Sequence, residues 1–110
     1  MAVLVNGESY SAAEFFAAAL VEQGRATTVG EHTTGKGYFQ TNIELSDGSA
    51  IHLSVGKFST PNGINLAEVG GIAPTHEVKL TEEQAEKLAA GQLAPEDDPQ
   101  IQKAVEVLRK

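Results

Sequence analysis

The chain has 110 residues, 15 of them acidic and 8 basic, which gives a formal net charge of −7. Its length and its hydrophobic fraction of 41% predict a single globular domain, residues 1–110, with a modest core. The acidic balance argues against nucleic acid or an anionic membrane as a partner, because phosphate binding needs clustered Lys and Arg. The absence of cysteine excludes disulfides, a thiolate nucleophile and Cys-ligated zinc. The sequence predicts neither a membrane span nor a signal peptide.

The first thirty residues change from a strand-like to a helix-like pattern and back. Ala2–Val5 is a continuous apolar run and predicts a strand that is buried on both faces. From Ser11 to Gly24 the apolar residues recur at helical spacing, and Ser11 with Glu14 has the Ser-x-x-Glu form of a capping box. Ala26–Val29 predicts a second strand. The order strand, helix, strand predicts a βαβ unit with parallel strands.

The middle of the chain has the period of two that is typical of antiparallel strands. Residues Tyr38–Leu45 alternate, and the alternation resumes at Ile51–Val55 after a turn at Ser46–Ser49. This pattern directs His52 toward solvent. A second turn is predicted at Thr60–Gly63, where Pro and Asn-Gly favour turn geometry. The segment therefore predicts an antiparallel hairpin.

The last third of the chain predicts a short strand and two helices. The strand covers Glu77–Leu80. The first helix is capped by Thr81 and ends at Ala90, and the second begins at Asp98-Pro99, where Pro occupies the first helical position. The predicted fold class is therefore α/β, with a mixed sheet made of the βαβ unit and the antiparallel strands that follow it, and with helices at the C-terminus.

A glycine-rich segment, Gly30–Gly37, contains the spacing Gly-x-x-x-x-Gly-Lys of a phosphate-binding loop. Gly37, however, stands where such a loop has the Ser or Thr that binds magnesium. A phosphate-binding loop is also followed by a helix, whereas the residues from Tyr38 onward alternate as a strand. Nucleotide binding is therefore not favoured.

The three histidines, His32, His52 and His76, are separated by 20 and 24 residues. No pair has the spacing that places two imidazoles on one face of one element, and no carboxylate completes a recognisable ligand pattern. The sequence therefore predicts no metal site and no cofactor.

Ser11 and Lys36 each have two possible interpretations. A serine at the start of a helix often only caps it, but the N–H groups and the positive dipole end there also favour an oxyanion beside a nucleophile. The glycines on both sides of Lys36 leave its stem little cover, or they place it in a tight pocket. A desolvated lysine is neutral and can accept a proton from a serine hydroxyl. Spacing alone does not show that the two residues meet.

A series of longer motifs covers most of the chain. The motifs are Val3-Leu4-Val5-Asn6, Ser9-Tyr10-Ser11-Ala12-Ala13-Glu14, Gly24-Arg25-Ala26, Val29-Gly30-Glu31, Thr34-Gly35-Lys36-Gly37, Gln40, Leu45-Ser46-Asp47-Gly48-Ser49-Ala50, Thr60-Pro61-Asn62-Gly63, Gly71-Ile72-x-Pro74 and Asp98-Pro99-Gln100. In this order they resemble the C-terminal processing peptidases, or tail-specific proteases, which are serine peptidases with a Ser-Lys dyad. Ala13 and Thr75 depart from the family pattern, which has a serine and an acidic residue at those positions.

The resemblance implies a role for four residues. Ser11 corresponds to the nucleophile, Lys36 to its general base and Gln40 to the polar residue that positions the lysine. The backbone N–H of Ala12 would then donate one hydrogen bond of the oxyanion hole. The reaction implied is cleavage of polypeptide substrates near their C-termini through an acyl-enzyme.

The resemblance also implies a domain organisation. It identifies the chain as the C-terminal half of a crotonase-like (ClpP/crotonase-type) catalytic domain, with the upstream half and a PDZ domain absent. The fragment alone would then be inactive, and the parent protein would lie outside the cytoplasm. The alternative is a non-catalytic module of the same fold, which binds peptides or forms a homodimer through exposed strand edges.

Overall fold

The computed structural model describes all residues from Met1 to Lys110. Its elements in chain order are β1 (Ala2–Val5), α1 (Ala12–Glu22), β2 (Thr27–Gly30), β3 (Tyr38–Glu44), β4 (Ala50–Lys57), α2 (Leu66–Val69), β5 (His76–Glu77), α3 (Glu82–Ala89) and α4 (Pro99–Leu108). None of the helices combines the length and the apolar character that crossing a bilayer requires.

The first three elements form the predicted βαβ unit. β1 and β2 pair in parallel, from Ala2 opposite Thr27 to Val5 opposite Gly30. β5 pairs in parallel with the other side of β2, so the strand order is β1-β2-β5. α1 packs against β2, and α4 packs against β1 and β2. The prediction of a βαβ unit with parallel strands is confirmed.

β1 is an edge strand, so the prediction that it is buried on both faces was wrong. It pairs with β2 alone. Val5 is buried, but Leu4 is 45% exposed. The apolar run has the composition of a central strand, whereas no other strand of this chain reaches its outer edge. Its backbone groups on that side are therefore free to pair with another polypeptide.

The parallel and antiparallel strands form two separate sheets, and the predicted single mixed sheet was wrong in this respect. β3 and β4 form a hairpin of their own, from Tyr38 opposite Lys57 to Glu44 opposite Ala50. The hairpin itself is confirmed, as is the exposure of His52. β3 and β4 pair only with each other, so no strand pairing joins the two sheets.

The hairpin extends away from the rest of the molecule. The radius of gyration is 17.1 Å, whereas a compact domain of this length has about 13 Å. At the base of the hairpin the ring of Phe58 lies edge-on to Phe15 of α1, with 4.5 Å between ring centroids, and stacks on Phe39 at 6.2 Å. These three rings connect the hairpin to α1, and beyond them both of its faces are exposed.

The last two helices begin directly after their N-cap residues, as predicted. Thr81 Oγ1 accepts a hydrogen bond from Gln84 N, and Asp98 Oδ1 accepts one from Gln100 N at 2.8 Å. The short helix α2 was not predicted, although Asn65 before it is a favourable N-cap residue. β5 is shorter than predicted and begins one residue earlier, because only two residues pair with β2.

Candidate active site

The loops that follow β1 and β2 meet at one edge of the parallel sheet. Val5 and Gly30 are opposite each other at the ends of these strands. Because parallel strands end at the same edge, the loop that leads to Ser11 and the loop that contains Lys36 emerge side by side. Thr34 ties the loops together: its N–H donates to Ser9 O at 3.1 Å and its hydroxyl to Gly7 O at 2.6 Å.

Ser11 has a strained backbone at the start of α1. Its φ is 55° and its ψ is −120°, and it is the only non-glycine residue of the chain with a positive φ. The capping box predicted for Ser11 and Glu14 is present, but its serine half is loose: Glu14 Oε2 accepts the Ser11 N–H at 2.9 Å, whereas no helix N–H makes a well-formed hydrogen bond with the Ser11 hydroxyl. Strain of this kind clusters at active sites, where it presents a side chain at a sharp turn between strand and helix.

The N–H group of Ala12 is the first of α1 and has no hydrogen-bond partner. It follows directly after Ser11, and the positive end of the helix dipole lies there. A backbone donor in this position can stabilise an oxyanion that forms next to the serine hydroxyl. The structure thus leaves free the donor that the resemblance assigns to the oxyanion hole.

Glu14 is the most fully buried charged residue of the site, with 0% of its surface exposed. Its Oε2 accepts hydrogen bonds from the backbone N–H groups of Ser11 and Lys36, each at 2.9 Å. Its Oε1 accepts from the Thr33 hydroxyl at 2.5 Å and from Gly35 N at 2.6 Å. One carboxylate therefore links the first turn of α1 to the loop that contains the candidate base.

Lys36 is half-buried in the loop before β3. Its backbone nitrogen and that of Ser11 are held by the same carboxylate oxygen of Glu14, so the two nitrogens are no farther apart than twice 2.9 Å. Its Nζ lies 5.9 Å from the centroid of the Tyr10 ring and makes no hydrogen bond with the Ser11 hydroxyl. The structure brings the two residues together through their backbones.

Gln40 lies on β3 and points toward the neighbouring strand. Its Nε2 donates to Ser54 Oγ at 3.1 Å and lies 3.5 Å from Tyr38 O. β3 begins at Tyr38, so Lys36 lies in the loop before the strand that carries Gln40. The role of Gln40 in positioning the lysine stays a prediction.

A third loop, residues 70–72, supports the segment that carries Lys36. Thr33 N donates to Ile72 O at 3.1 Å, and Ile72 N donates to Thr33 Oγ1 at 2.7 Å. A side chain at Gly35 would have its Cβ 2.7 Å from the carbonyl carbon of Gly70. Glycine at position 35 therefore allows a close approach of two backbones, and it explains the glycine that resembled a phosphate-binding loop.

Sequence reasoning missed two residues of this site. Glu14 was recognised as the partner of Ser11 in a capping box, but its contacts with the second loop depend on the tertiary fold. Thr33 was not singled out at all, although its hydroxyl binds both Glu14 and the backbone of Ile72. The available signal was a pair of threonines immediately before Gly35-Lys36, which is typical of a tightly hydrogen-bonded loop.

The environment of Glu14 predicts a loss of stability in acid. Burial alone raises the pKa of this carboxyl, but hydrogen bonds from Thr33, Lys36, Gly35 and Ser11 lower it, and the net pKa lies below the ordinary value. A depressed pKa stabilises the fold above the unfolded-state value of about 4.3, and this stabilisation is lost as the pH falls through the folded pKa.

The measurement is urea unfolding between pH 7 and pH 3 for the wild-type chain and Glu14→Gln. We expect their difference in free energy of unfolding to shrink below about pH 4, as protonation makes the wild type resemble the variant. A difference that stays constant over the whole range would contradict this.

Residues 1–78 match the family model of Peptidase family S41. The chain belongs to peptidase family S41. The matched region contains β1, α1, β2, the hairpin, α2 and β5, and with them every residue of the candidate site. The resemblance to C-terminal processing peptidases that the motifs indicated is thereby confirmed.

Several relatives of the chain are named carboxyl-terminal-processing proteases or peptidases. The chain is 46% identical over 70 residues to such a protease from Synechocystis sp., and the aligned region covers 64% of the chain and 16% of the protease. It is 37% identical over 108 residues to one from Picosynechococcus sp., covering 98% and 25% respectively. For chloroplastic carboxyl-terminal-processing peptidase 1 of Arabidopsis thaliana, identity is 44% over 72 residues, covering 66% and 14%.

A solved structure shows the same fold. The photosystem II D1 C-terminal processing protease superposes with a TM-score of 0.67 at 38% identity, over 71% of this chain and 20% of that one. The mixed α/β architecture is therefore shared with a family member. The chain spans 14–25% of the length of the curated relatives named above.

Proposed function

We propose that this chain is the C-terminal part of a crotonase-like catalytic domain, and that it supplies the nucleophile and the base of a serine endopeptidase that cleaves polypeptides near their C-termini. The observation that carries the proposal is the strained Ser11 at the start of α1, whose N–H shares one carboxylate oxygen with the N–H of Lys36. Membership of family S41 supports the choice of peptide hydrolysis over other acyl transfers.

The proposed reaction assigns one step to each of these groups. Lys36 Nζ, in its neutral form, takes the proton of the Ser11 hydroxyl, and Oγ attacks the carbonyl carbon of the scissile peptide bond. The Ala12 N–H donates a hydrogen bond to the oxyanion of the tetrahedral intermediate. Lys36 then returns the proton to the leaving amine, and water hydrolyses the acyl-enzyme by the reverse sequence. The first step requires the lysine stem to rotate Nζ from the Tyr10 ring toward Ser11.

The isolated chain is expected to hydrolyse peptides slowly or not at all. By the family resemblance, a second oxyanion donor and a substrate-binding PDZ domain belong to an upstream region. The free outer edge of β1 supports this proposal, since a central strand of the complete domain would have a neighbour there. Efficient cleavage of a denatured protein by residues 1–110, absent from the Ser11→Ala variant, would contradict the need for an upstream half.

The dyad is tested in the longer peptidase that carries this segment. Ser11→Ala and Lys36→Ala are each expected to lower kcat by about 10⁴-fold or more, with folding unchanged. Lys57→Ala is the matched control, because Lys57 is an exposed lysine whose salt bridge with Glu68 lies outside the site. Unchanged hydrolysis in Ser11→Ala or Lys36→Ala would overturn the assignment.

A second candidate function is self-association as a non-catalytic module. The hairpin favours it, because one face carries apolar side chains that are each 42–50% exposed: Phe39, Ile43, Leu45, Ile51, Leu53 and Val55. These residues expose on the order of 500 Å² per copy, so two copies packed face to face would reach the roughly 1,000 Å² that a specific interface needs. The free edge of β1 offers further backbone pairing.

We therefore expect the purified chain to form a homodimer at micromolar concentration. The measurement is its mass by light scattering, which should be twice 11.6 kDa. Ile43→Lys places a charge on the apolar face and should give monomers, whereas Asn42→Lys, on the opposite face of the same strand, should not. A wild-type mass of a single chain would contradict the expectation.

A further inference from the structure

The Glu14 carboxylate is surrounded by donors that belong to two different segments. Ser11 N–H lies in its own helix, while the Thr33 hydroxyl and the N–H groups of Gly35 and Lys36 lie in the loop after β2. A carboxylate that only capped α1 would accept a hydrogen bond from the Ser11 N–H, and its oxygens would otherwise accept hydrogen bonds from water. Three of its four bonds instead go to residues 19 to 22 positions away in the sequence.

Only an ionised carboxylate satisfies this arrangement. Each oxygen accepts two hydrogen bonds, so all four contacts require an acceptor. A glutamine of the same shape has one acceptor oxygen and an NH₂ group, which would face two of the donors and leave them unpaired inside the protein. The site therefore specifies the charge of residue 14 as well as its size.

The division of bonds between the two oxygens connects the candidate nucleophile to the candidate base. Oε2 binds the N–H groups of Ser11 and Lys36 at equal distances of 2.9 Å. Oε1 binds Thr33 and Gly35, which hold the loop that presents Lys36. No other hydrogen bond joins residues 11 and 12 to this loop, since the neighbouring contacts of Thr34 reach only Ser9 and Gly7.

We propose that Glu14 is a positioning residue for the Ser-Lys dyad: its buried carboxylate fixes the backbones of Ser11 and Lys36 relative to each other. The inference rests on the proposed function, because it assigns a role to Glu14 in that same site. Glu14 does not touch the substrate or exchange a proton. It acts through the placement of two other residues, and a displacement of about 1 Å between reacting groups lowers a rate by about 100-fold.

The first test measures the coupling itself and needs no activity. Amide hydrogen exchange is compared between the wild-type chain, Glu14→Gln and the control Glu22→Gln. Glu22 lies at the other end of α1 and also accepts a backbone N–H, from Asn62 at 2.8 Å. In Glu14→Gln we expect exchange at Gly35 and Lys36 to accelerate at least tenfold more than exchange in β1 and β2, where any acceleration measures the loss of overall stability. Glu22→Gln should leave all of these rates unchanged.

Two results of this test would overturn the proposal. One is unchanged exchange at Gly35 and Lys36 in Glu14→Gln, which would show that the loop is held without the carboxylate. The other is an equal acceleration in the loop and in β1 and β2, which would assign Glu14 to general stability. If Glu14→Gln does not fold, Thr33→Val replaces it and should accelerate the same two amides, while Thr33→Ser, which keeps the hydroxyl donor, should not.

The second test is kinetic and uses the longer peptidase. Glu14→Gln is expected to lower kcat by about 10- to 100-fold and to leave KM within about twofold, because the substrate-binding surface is unchanged. A rise in KM with unchanged kcat would overturn the positioning role. Failure of the proposed function is recognised separately, since Ser11→Ala would then retain hydrolysis whatever the exchange rates show.

Discussion

Replacing Gly30 with alanine is expected to cost more than about 4 kcal/mol of stability, which is enough to unfold many small domains. Gly30 ends β2 between β1 and β5, with a φ of 132°. A Cβ at this position would overlap the carbonyl oxygen of Val5 in the neighbouring strand. That oxygen accepts a hydrogen bond from Glu31 N at 2.9 Å, so the clash would separate the strands where both site loops begin.

The control for this prediction is Gly24→Ala. Gly24 also has a positive φ, of 66°, but a Cβ there would meet no atom within 4 Å. Its replacement should lower the free energy of unfolding by only about 1–2 kcal/mol, which is the cost of holding a residue other than glycine at a positive φ. Urea unfolding followed by circular dichroism measures both variants. If Gly30→Ala were as stable as Gly24→Ala, the close contact between the two strands would not be a constraint on the fold.

Replacing Lys36 with arginine is expected to lower kcat by at least about 10³-fold, although the positive charge is kept. A general base must have a neutral form that can accept a proton. The guanidinium group stays protonated at every pH at which proteins fold, whereas a lysine becomes neutral when its environment desolvates it. Arginine could still lie against the Tyr10 ring as Lys36 does.

The comparison therefore separates two roles of the lysine. If Lys36 serves only as a charge that attracts the substrate or stabilises the loop, Lys36→Arg should retain most of the activity. If it is the base, Lys36→Arg should be as inactive as Lys36→Ala. Lys57→Arg is the control for general effects of the substitution, because Lys57 forms an exposed salt bridge with Glu68. The measurement is peptide hydrolysis by the longer peptidase at saturating substrate.

Local patterns predicted the elements of the fold well, because caps and periodicity act over a few residues. Ser11, Thr81 and Asp98 marked the helix starts, and the period of two marked the hairpin. The relations between elements were predicted less well. The run Ala2–Val5 has the composition of a central strand, yet its burial depends on a neighbour that the sequence pattern does not supply. The separation of the two sheets likewise depends on contacts between distant segments.

The candidate site shows the same division. The motif resemblance indicated Ser11, Ala12 and Lys36, which lie close together in the structure. The shared acceptor that brings two of them together, Glu14, was visible only as a local cap. Its bonds with Gly35 and Lys36 span more than twenty residues, and no spacing rule for helices or turns connects such positions.

At position 11 the amino acid that fits the strained backbone best differs from the amino acid that the proposed reaction requires. Glycine adopts a positive φ without steric conflict, so Ser11→Gly should raise the free energy of unfolding by about 1 kcal/mol while removing the proposed nucleophile. Ser11→Ala keeps the strain and should bring no such gain, which thermal melts of the two variants would show. Selection for folding alone would thus favour glycine here. In related chains that lack the proposed activity, glycine is therefore the substitution expected at position 11.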